Sequence, residues 1–141
     1  MSIPKGPKII PTLRYRDGQA AIEFLCNAFG FEKHLVVPGE DGTITHAQLV
    51  GHGGMVMLGS SNHGEYDNYV IHPDETGDRS TASAYIIVED VDAHHDRAVA
   101  AGARVVLPPV DQDYGGRGYT CLDPEGHVWG FGSYDPADET D

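Results

Sequence analysis

The sequence predicts an α+β fold: two βαβββ modules whose curved mixed sheets form a shared cavity. Three observations predict it. The order strand, helix, strand, strand, strand is written twice along the chain. A glycine ends each helix at the equivalent place, Gly30 in the first unit and Gly102 in the second. Each sheet has one face covered by its own helix, so neither unit buries both faces alone. Pairing the units lets the remaining faces curve around a pocket.

In the first unit, residues 8–59, Ile9 to Tyr15 is extended and rich in apolar side chains. Asp17 then suits a helix N-cap, because its short carboxylate can accept from a free amide of the first turn. Ala21, Phe24, Leu25 and Ala28 recur at helical spacing and predict one buried stripe. Phe31 to Val37 reads as a strand. The run Glu40-Asp41-Gly42-Thr43 centres an Asp-Gly pair in a hairpin turn. Thr45 to Val50 and Met55 to Gly59 complete the unit around Gly51-His52-Gly53-Gly54.

The second unit, residues 81–135, follows the same order. Ser83 to Val88 is strongly β-forming, Asp90 or Asp92 caps a helix, and Ala103 to Leu107 is a strand that Pro108-Pro109 is expected to stop. Gly118 to Leu122 and Val128 to Tyr134 flank Asp123-Pro124-Glu125-Gly126. That turn has proline fixing φ at its second position and glycine closing it. Residues 60–80 are polar and aperiodic, and are expected to be a linker or a lid loop. The acidic tail from Asp135 onward is expected to fray.

Composition narrows the function classes. The 141 residues hold 22 acidic and 9 basic side chains, a formal net charge of −13. Phosphate backbones and anionic lipid surfaces demand the opposite sign, so neither nucleic acid nor membrane is an expected partner. The charge serves solubility first, and its field would favour cationic ligands. No run of apolar residues is long enough to span a bilayer, and the N-terminus lacks an apolar signal stretch, so the expected compartment is the cytoplasm. The two cysteines, Cys26 and Cys121, form no CxxC pair and no disulfide framework.

The doubled βαβββ order, together with RGYTCLDPEGHVWGF at residues 117–131, resembles the vicinal-oxygen-chelate superfamily. This is the glyoxalase/bleomycin-resistance/dioxygenase family, and the likeness is greatest to its bleomycin-resistance-like bacterial branch. It covers residues 8 to 135. DPxG alone is a common turn, whereas DPxG closing a doubled βαβββ pattern is specific for the fold. The superfamily holds lyases, dioxygenases, epimerases, thiol transferases and drug binders, so the fold does not choose among them.

The resemblance also implies where a metal would sit. Metal-dependent members use His, Glu or Gln from the first and last strands of each unit. Counting from the helix-ending glycines and from DPxG, those positions fall on Ile10, Met57, Ser83 and Gly130. Ile10 and Gly130 carry no donor, Ser83 is a poor neutral ligand, and a Met thioether suits soft copper. No metal ligand and no cofactor is therefore expected.

The eight histidines do not replace that set. His94 and His95 point to different faces of a helix. His63 and His72 lie in the polar loop, and His34 and His52 lie near strand ends or turns. His127 is expected to satisfy the backbone of its turn. His46 lies within a strand, as a cavity contact or a hydrogen-bonded strand residue. No nucleophile elbow or phosphate loop is present; YGGRG at 114–118 leads into a strand rather than a helix. No catalytic residue is predicted.

Strand alternation then proposes a lining. If the four positions face inward, so do Thr12, Arg14, Met55, Tyr85 and Val128, with His46 beside them and Tyr119 placed inward provisionally. Trp129 and Phe131 fall on the helix side. A pocket of Met, Ile, Val and Tyr with sparse polar points suits a small amphipathic or aromatic ligand, and an inward Arg14 could hold an anionic group. The alternative is that these residues fill a closed core. The expected function is metal-free sequestration of an antibiotic-like or aromatic molecule. Like the branch it resembles, the protein would be a homodimer with grooves between subunits. The competing readings are a glyoxalase-type lyase or isomerase with altered ligands and a non-catalytic partner-binding module.

Overall fold

The computed structural model describes residues 6–61 and 64–138. His63 and the last three residues of the acidic tail lie outside them. Within the described residues the first unit runs β1 (Thr12–Tyr15), α1 (Gly18–Phe29), β2 (Glu32–Pro38), β3 (Ile44–Gly51) and β4 (Gly54–Ser60). The second runs β5 (Ala84–Ile87), α2 (Val91–Ala100), β6 (Arg104–Asp111), β7 (Arg117–Leu122) and β8 (Val128–Gly132). The sheets are ordered β1-β4-β3-β2 and β5-β8-β7-β6. In both, the strand before the helix lies parallel to the last strand. No helix among the described residues is long and apolar enough to cross a membrane.

Both helices begin on an aspartate. Asp17 accepts from the Ala20 amide at 3.0 Å, and Asp90 does the same for Ala93, which decides between Asp90 and Asp92. Asp92 is left free to meet the Arg117 guanidinium. At the end of α1, Gly30 sits at φ 83°, its amide on the Cys26 carbonyl and the Phe31 amide on the Leu25 carbonyl. This paired closure needs a left-handed residue. The buried stripe contains Ala21, Phe24, Leu25 and Ala28, joined by Ile22 and Phe29.

Two turns follow the sequence closely. His52 and Gly53, both at positive φ, link Gly51 to its partner Gly54, as a two-residue hairpin requires. Asp41 and Gly42 also take positive φ, inside a short 3-10 turn. Residues 60–80, expected to be a linker or a lid loop, include two such turns, Glu65–Asn68 and Pro73–Glu75.

β6 departs from expectation. It passes through Pro108 and Pro109 to Asp111, with register shifts on either side of Leu107. The reason is position: β6 is an edge strand, so a missing amide need not break a ladder, and the irregularities absorb both rings.

The helix-facing sides of both sheets share one core. Phe29 lies 4.7 Å from Phe131 and 5.2 Å from Trp129, ring centre to ring centre, which welds α1 to the second sheet. Leu25, Leu49 and Leu58 complete this interior, each worth about 1.5–3 kcal/mol of burial. The sheets are not closed on one another. Their opposite faces expose Leu35 and Val37 in the first unit and Tyr85, Ile87, Leu107 and Val110 in the second.

Candidate functional site

The residues expected around one cavity are distributed over three places. The first is a trough of about 340 Å³ on the outward face of the second sheet. Gly118, Thr120 and Gly130 form its floor, and Tyr85, Leu107, Val110 and Tyr114 form its walls. Tyr85 is fixed by its hydroxyl, which donates to the Tyr134 carbonyl at 2.8 Å. Its ring runs over bare backbone: a Cβ on Gly130 would come 3.7 Å from the ring, and one on Gly132 only 2.6 Å from the phenol oxygen. Gly132 is thus what lets the Tyr85 phenol cross this part of the sheet.

The second place is a groove of about 590 Å³ between β1, the start of β5, the start of β8 and residues 66–83. It gathers Thr12, Arg14, Ser83 and Val128 from the expected set. Arg14 lies 4.8 Å over the Tyr66 ring and 3.9 Å from the Asp67 carboxylate, beyond hydrogen-bond length. The third place is the outward face of the first sheet, holding His46, Met55 and Met57 opposite the buried Ala47, Val56 and Leu58. His46 shares a hydrogen bond with the Gln48 amide at 3.1 Å, and Gln48 reaches His34 at 3.0 Å. Ile10 precedes β1 and belongs to none of the three.

Two placements need correction. Tyr119, set inward from the sequence, has its ring on the helix side, stacked on Phe131 with its hydroxyl 2.6 Å from His94 Nδ1. Alternation fixes that Tyr119 and Cys121 share a face but not which one; cross-strand pairing with Phe131 and Trp129 decides it. His127 was expected to satisfy its own turn, but its ring binds the Arg14 carbonyl of β1 at 2.7 Å. Asp123 serves the turn instead, accepting from the Glu125 and His127 amides.

Asp123 and Glu125 are the functional-looking residues that sequence reasoning passed over as turn formers. Asp123 is buried and accepts from the Tyr15 hydroxyl at 2.6 Å and the Trp129 indole at 3.0 Å. Burial, then the Asp123 charge, holds the Tyr15 phenol well above its usual range. Glu125 accepts from the Arg16 and Asp17 amides at the start of α1 and from His72 at 2.7 Å. Asp123 gathers Tyr15 of the first unit with the Trp129 indole and two amides of its own turn, and Glu125 holds the start of α1, so the cluster ties the second unit's turn to the first unit. The available signal was an acidic pair in a turn flanked by Trp and His.

Burial raises the Cys121 thiol to about 12 and raises Cys26 less, which leaves neither poised as a thiolate. Burial lowers His94 to about 4, so its imidazole is neutral at pH 7 and shares a hydrogen bond with the Tyr119 hydroxyl.

The donor set does not fit the divalent metal that the family resemblance implies. Gly130 offers no side-chain donor, and the Tyr85 ring stands beside it. Ser83 precedes β5, Ile10 precedes β1, and Met57 brings a thioether. Three or four hard donors converging at about 2.0–2.2 Å are what such an ion requires. Among the described residues no group of three or more His, Cys, Asp or Glu could hold one.

Comparison with known proteins agrees with this architecture. The family model described as Glyoxalase/Bleomycin resistance protein/Dioxygenase superfamily matches residues 10–131. An uncharacterized protein of Mycobacterium tuberculosis is 36% identical over 132 residues, spanning 94% of this chain and 77% of the relative. TioX from Micromonospora sp. ML1 superposes with a TM-score of 0.68 at 35% identity, over 88% of this chain and 93% of that one. FosX, the fosfomycin resistance protein of Listeria monocytogenes solved with Mn(II), reaches the same TM-score at 17% identity, over 95% and 94% of the two chains, a likeness of fold.

Proposed function

The chain belongs to the Glyoxalase/Bleomycin resistance protein/Dioxygenase superfamily, and from that premise we propose that it is a metal-free small-molecule-binding protein that sequesters a flat amphipathic or aromatic ligand in the manner of the bleomycin-resistance branch. One observation carries the reading: Gly130, where a metal-dependent relative needs a donor, is bare and flanked by Tyr85. An aromatic surface stands where a Lewis acid would have to be. Tyr85, Leu107, Val110 and Tyr114 supply apolar area, and Thr120 and Gln112 supply sparse polar contacts for orientation.

The protein works as a homodimer in the cytoplasm. A trough on an open sheet face leaves much of a ligand in water, whereas affinity comes from removing it. The exposed apolar residues of both outward faces support covering by a second copy, which would close grooves over the ligand. Resistance to an antibiotic-like compound follows from stoichiometric capture and needs no catalysis.

A second reading, a glyoxalase-type lyase or isomerase with altered ligands, draws on the His46–Gln48–His34 chain, which gathers three nitrogen and oxygen donors on one face. One experiment separates the two. Protein purified without chelator is analysed for metal and assayed with methylglyoxal plus glutathione across divalent cations. Sequestration predicts substoichiometric metal and no rate above blank; bound metal that supports turnover would refute it.

A further inference from the structure

We propose that the groove between β1 and residues 66–83 is an oxyanion-selective subsite, which takes the carboxylate or phosphate of an amphipathic ligand on Arg14 and Arg79. The inference rests on the small-molecule reading and adds the ligand's charge. It starts from a local reversal of sign. Acidic side chains outnumber basic ones 22 to 9 in the chain, yet among the described residues the groove is lined by two arginines and no Asp or Glu. Such a reversal inside a strongly negative molecule is not explained by solubility.

Neither arginine is committed elsewhere. The Arg14 Nε is buried and makes no hydrogen bond among the described residues, where its one ion-pair carboxylate, Asp67, stands at 3.9 Å. Arg79 donates its Nε to the Thr76 carbonyl at 3.3 Å and has no carboxylate within ion-pair distance among the described residues. Of the other arginines, Arg16, Arg104 and Arg117 each hold a carboxylate at 2.8–3.1 Å, and Arg97 is spent on the Asn27 and Cys26 carbonyls at the end of α1. The Arg14 guanidinium lies over Tyr66 with Nη1 toward Gly59, and a guanidinium takes a planar or tetrahedral oxyanion with two parallel hydrogen bonds.

The rest of the groove fits the other end of such a molecule. Ser80, Thr81 and Ser83 place hydroxyl donors beside the arginines, while Leu13, Val70 and Ile71 offer apolar surface. A volume of about 590 Å³ accommodates a two-ring body with one charged group. The preferred ligand is therefore an anion, against the cation preference that the overall charge alone suggests.

Calorimetric titration with four naphthalene probes tests this: naphthoate, naphthyl phosphate, naphthalenemethanol and naphthylmethylammonium. The expected result is that at least one anion binds about tenfold or more tighter than the alcohol, with the cation weakest, and that added salt weakens only the anions. Which anion binds better distinguishes carboxylate from phosphate recognition. Arg14→Gln and Arg79→Gln each lower anion affinity about tenfold while leaving the alcohol within about twofold. Arg79 lies in an exposed loop, so its variant keeps the test open if Arg14→Gln misfolds. Equal affinity for alcohol and anion, no binding by any probe, or equal losses for both probe types in the variants would overturn the assignment. If the probes fail while Tyr85→Ala releases a metabolite retained by the native protein, sequestration stands and only the oxyanion subsite falls.

Discussion

The two faces of β8 do different work within five residues. On the helix side Trp129 and Phe131 are 1% and 0% exposed, and they join rings from both units. On the outward side Val128 borders the groove and Gly130 floors the trough. One side is filled to the last contact and the other is stripped to bare backbone. The same strand therefore packs the core with Trp129 and Phe131 and lines the groove and the trough with Val128 and Gly130. Substitutions on the two faces should separate into losses of stability and losses of binding.

The largest stability effect belongs to the filled face. Phe131→Ala is expected to cost about 3–5 kcal/mol in urea unfolding, because the rings around it cannot collapse into the space. Asp123→Ala comes next, at about 3 kcal/mol, since it leaves the Tyr15 hydroxyl, the Trp129 indole and two backbone amides without their acceptor. A loss well under 1 kcal/mol in either variant would show that the interior is not the single welded unit described.

An acid titration sharpens the same contrast. His94 is held near 4 by burial against an ordinary value of 6.5, so protons favour the unfolded chain. Its stabilisation is complete above pH 6.5 and is lost as the pH falls toward 4. After allowing for its partial exposure, the loss is about 1–2 kcal/mol. His94→Phe removes that component. The native-minus-variant difference in unfolding free energy should therefore shrink across this window, and a pH-independent difference would contradict the burial.

On the open face the ordering reverses. Tyr85→Ala should change stability by less than about 1 kcal/mol, because the ring is half exposed, yet it should abolish aromatic-ligand binding in the trough. Gly130→Ala is the finest test. Its added methyl meets only ordinary contacts at 3.7 Å, so folding is nearly unaffected while a flat ligand loses its seat. Unchanged binding of a retained aromatic ligand in both variants would remove the trough from the account.

Elements written in local chemistry were legible in the sequence. Asp17, Gly30, the His52-Gly53 turn region and the Asp123–Gly126 turn each state their conformation through one or two side chains. The helix-side placement of Trp129 and Phe131 followed from alternation once the family resemblance set Gly130 on the other face. What alternation leaves open is which face a whole strand presents, and Tyr119 fell on that ambiguity. Pro108-Pro109 misled because a proline's cost depends on whether its strand is an edge, a property of the assembled sheet. Closure was equally invisible. Thr12, Arg14, Ser83 and Val128 meet in one groove while Tyr85 and Gly130 meet in another, because facing outward does not determine what lies opposite. The roles of Asp123 and Glu125 required knowing that the two units touch at the start of α1.

The central claim is that an aromatic ring has replaced a metal-binding corner, making the protein a container rather than a catalyst. Native mass spectrometry of freshly purified protein, without chelator, tests this most directly. The predicted spectrum shows a dimer free of divalent metal, with a small organic molecule lost on collisional activation. A species carrying one firmly held transition metal per subunit would contradict it.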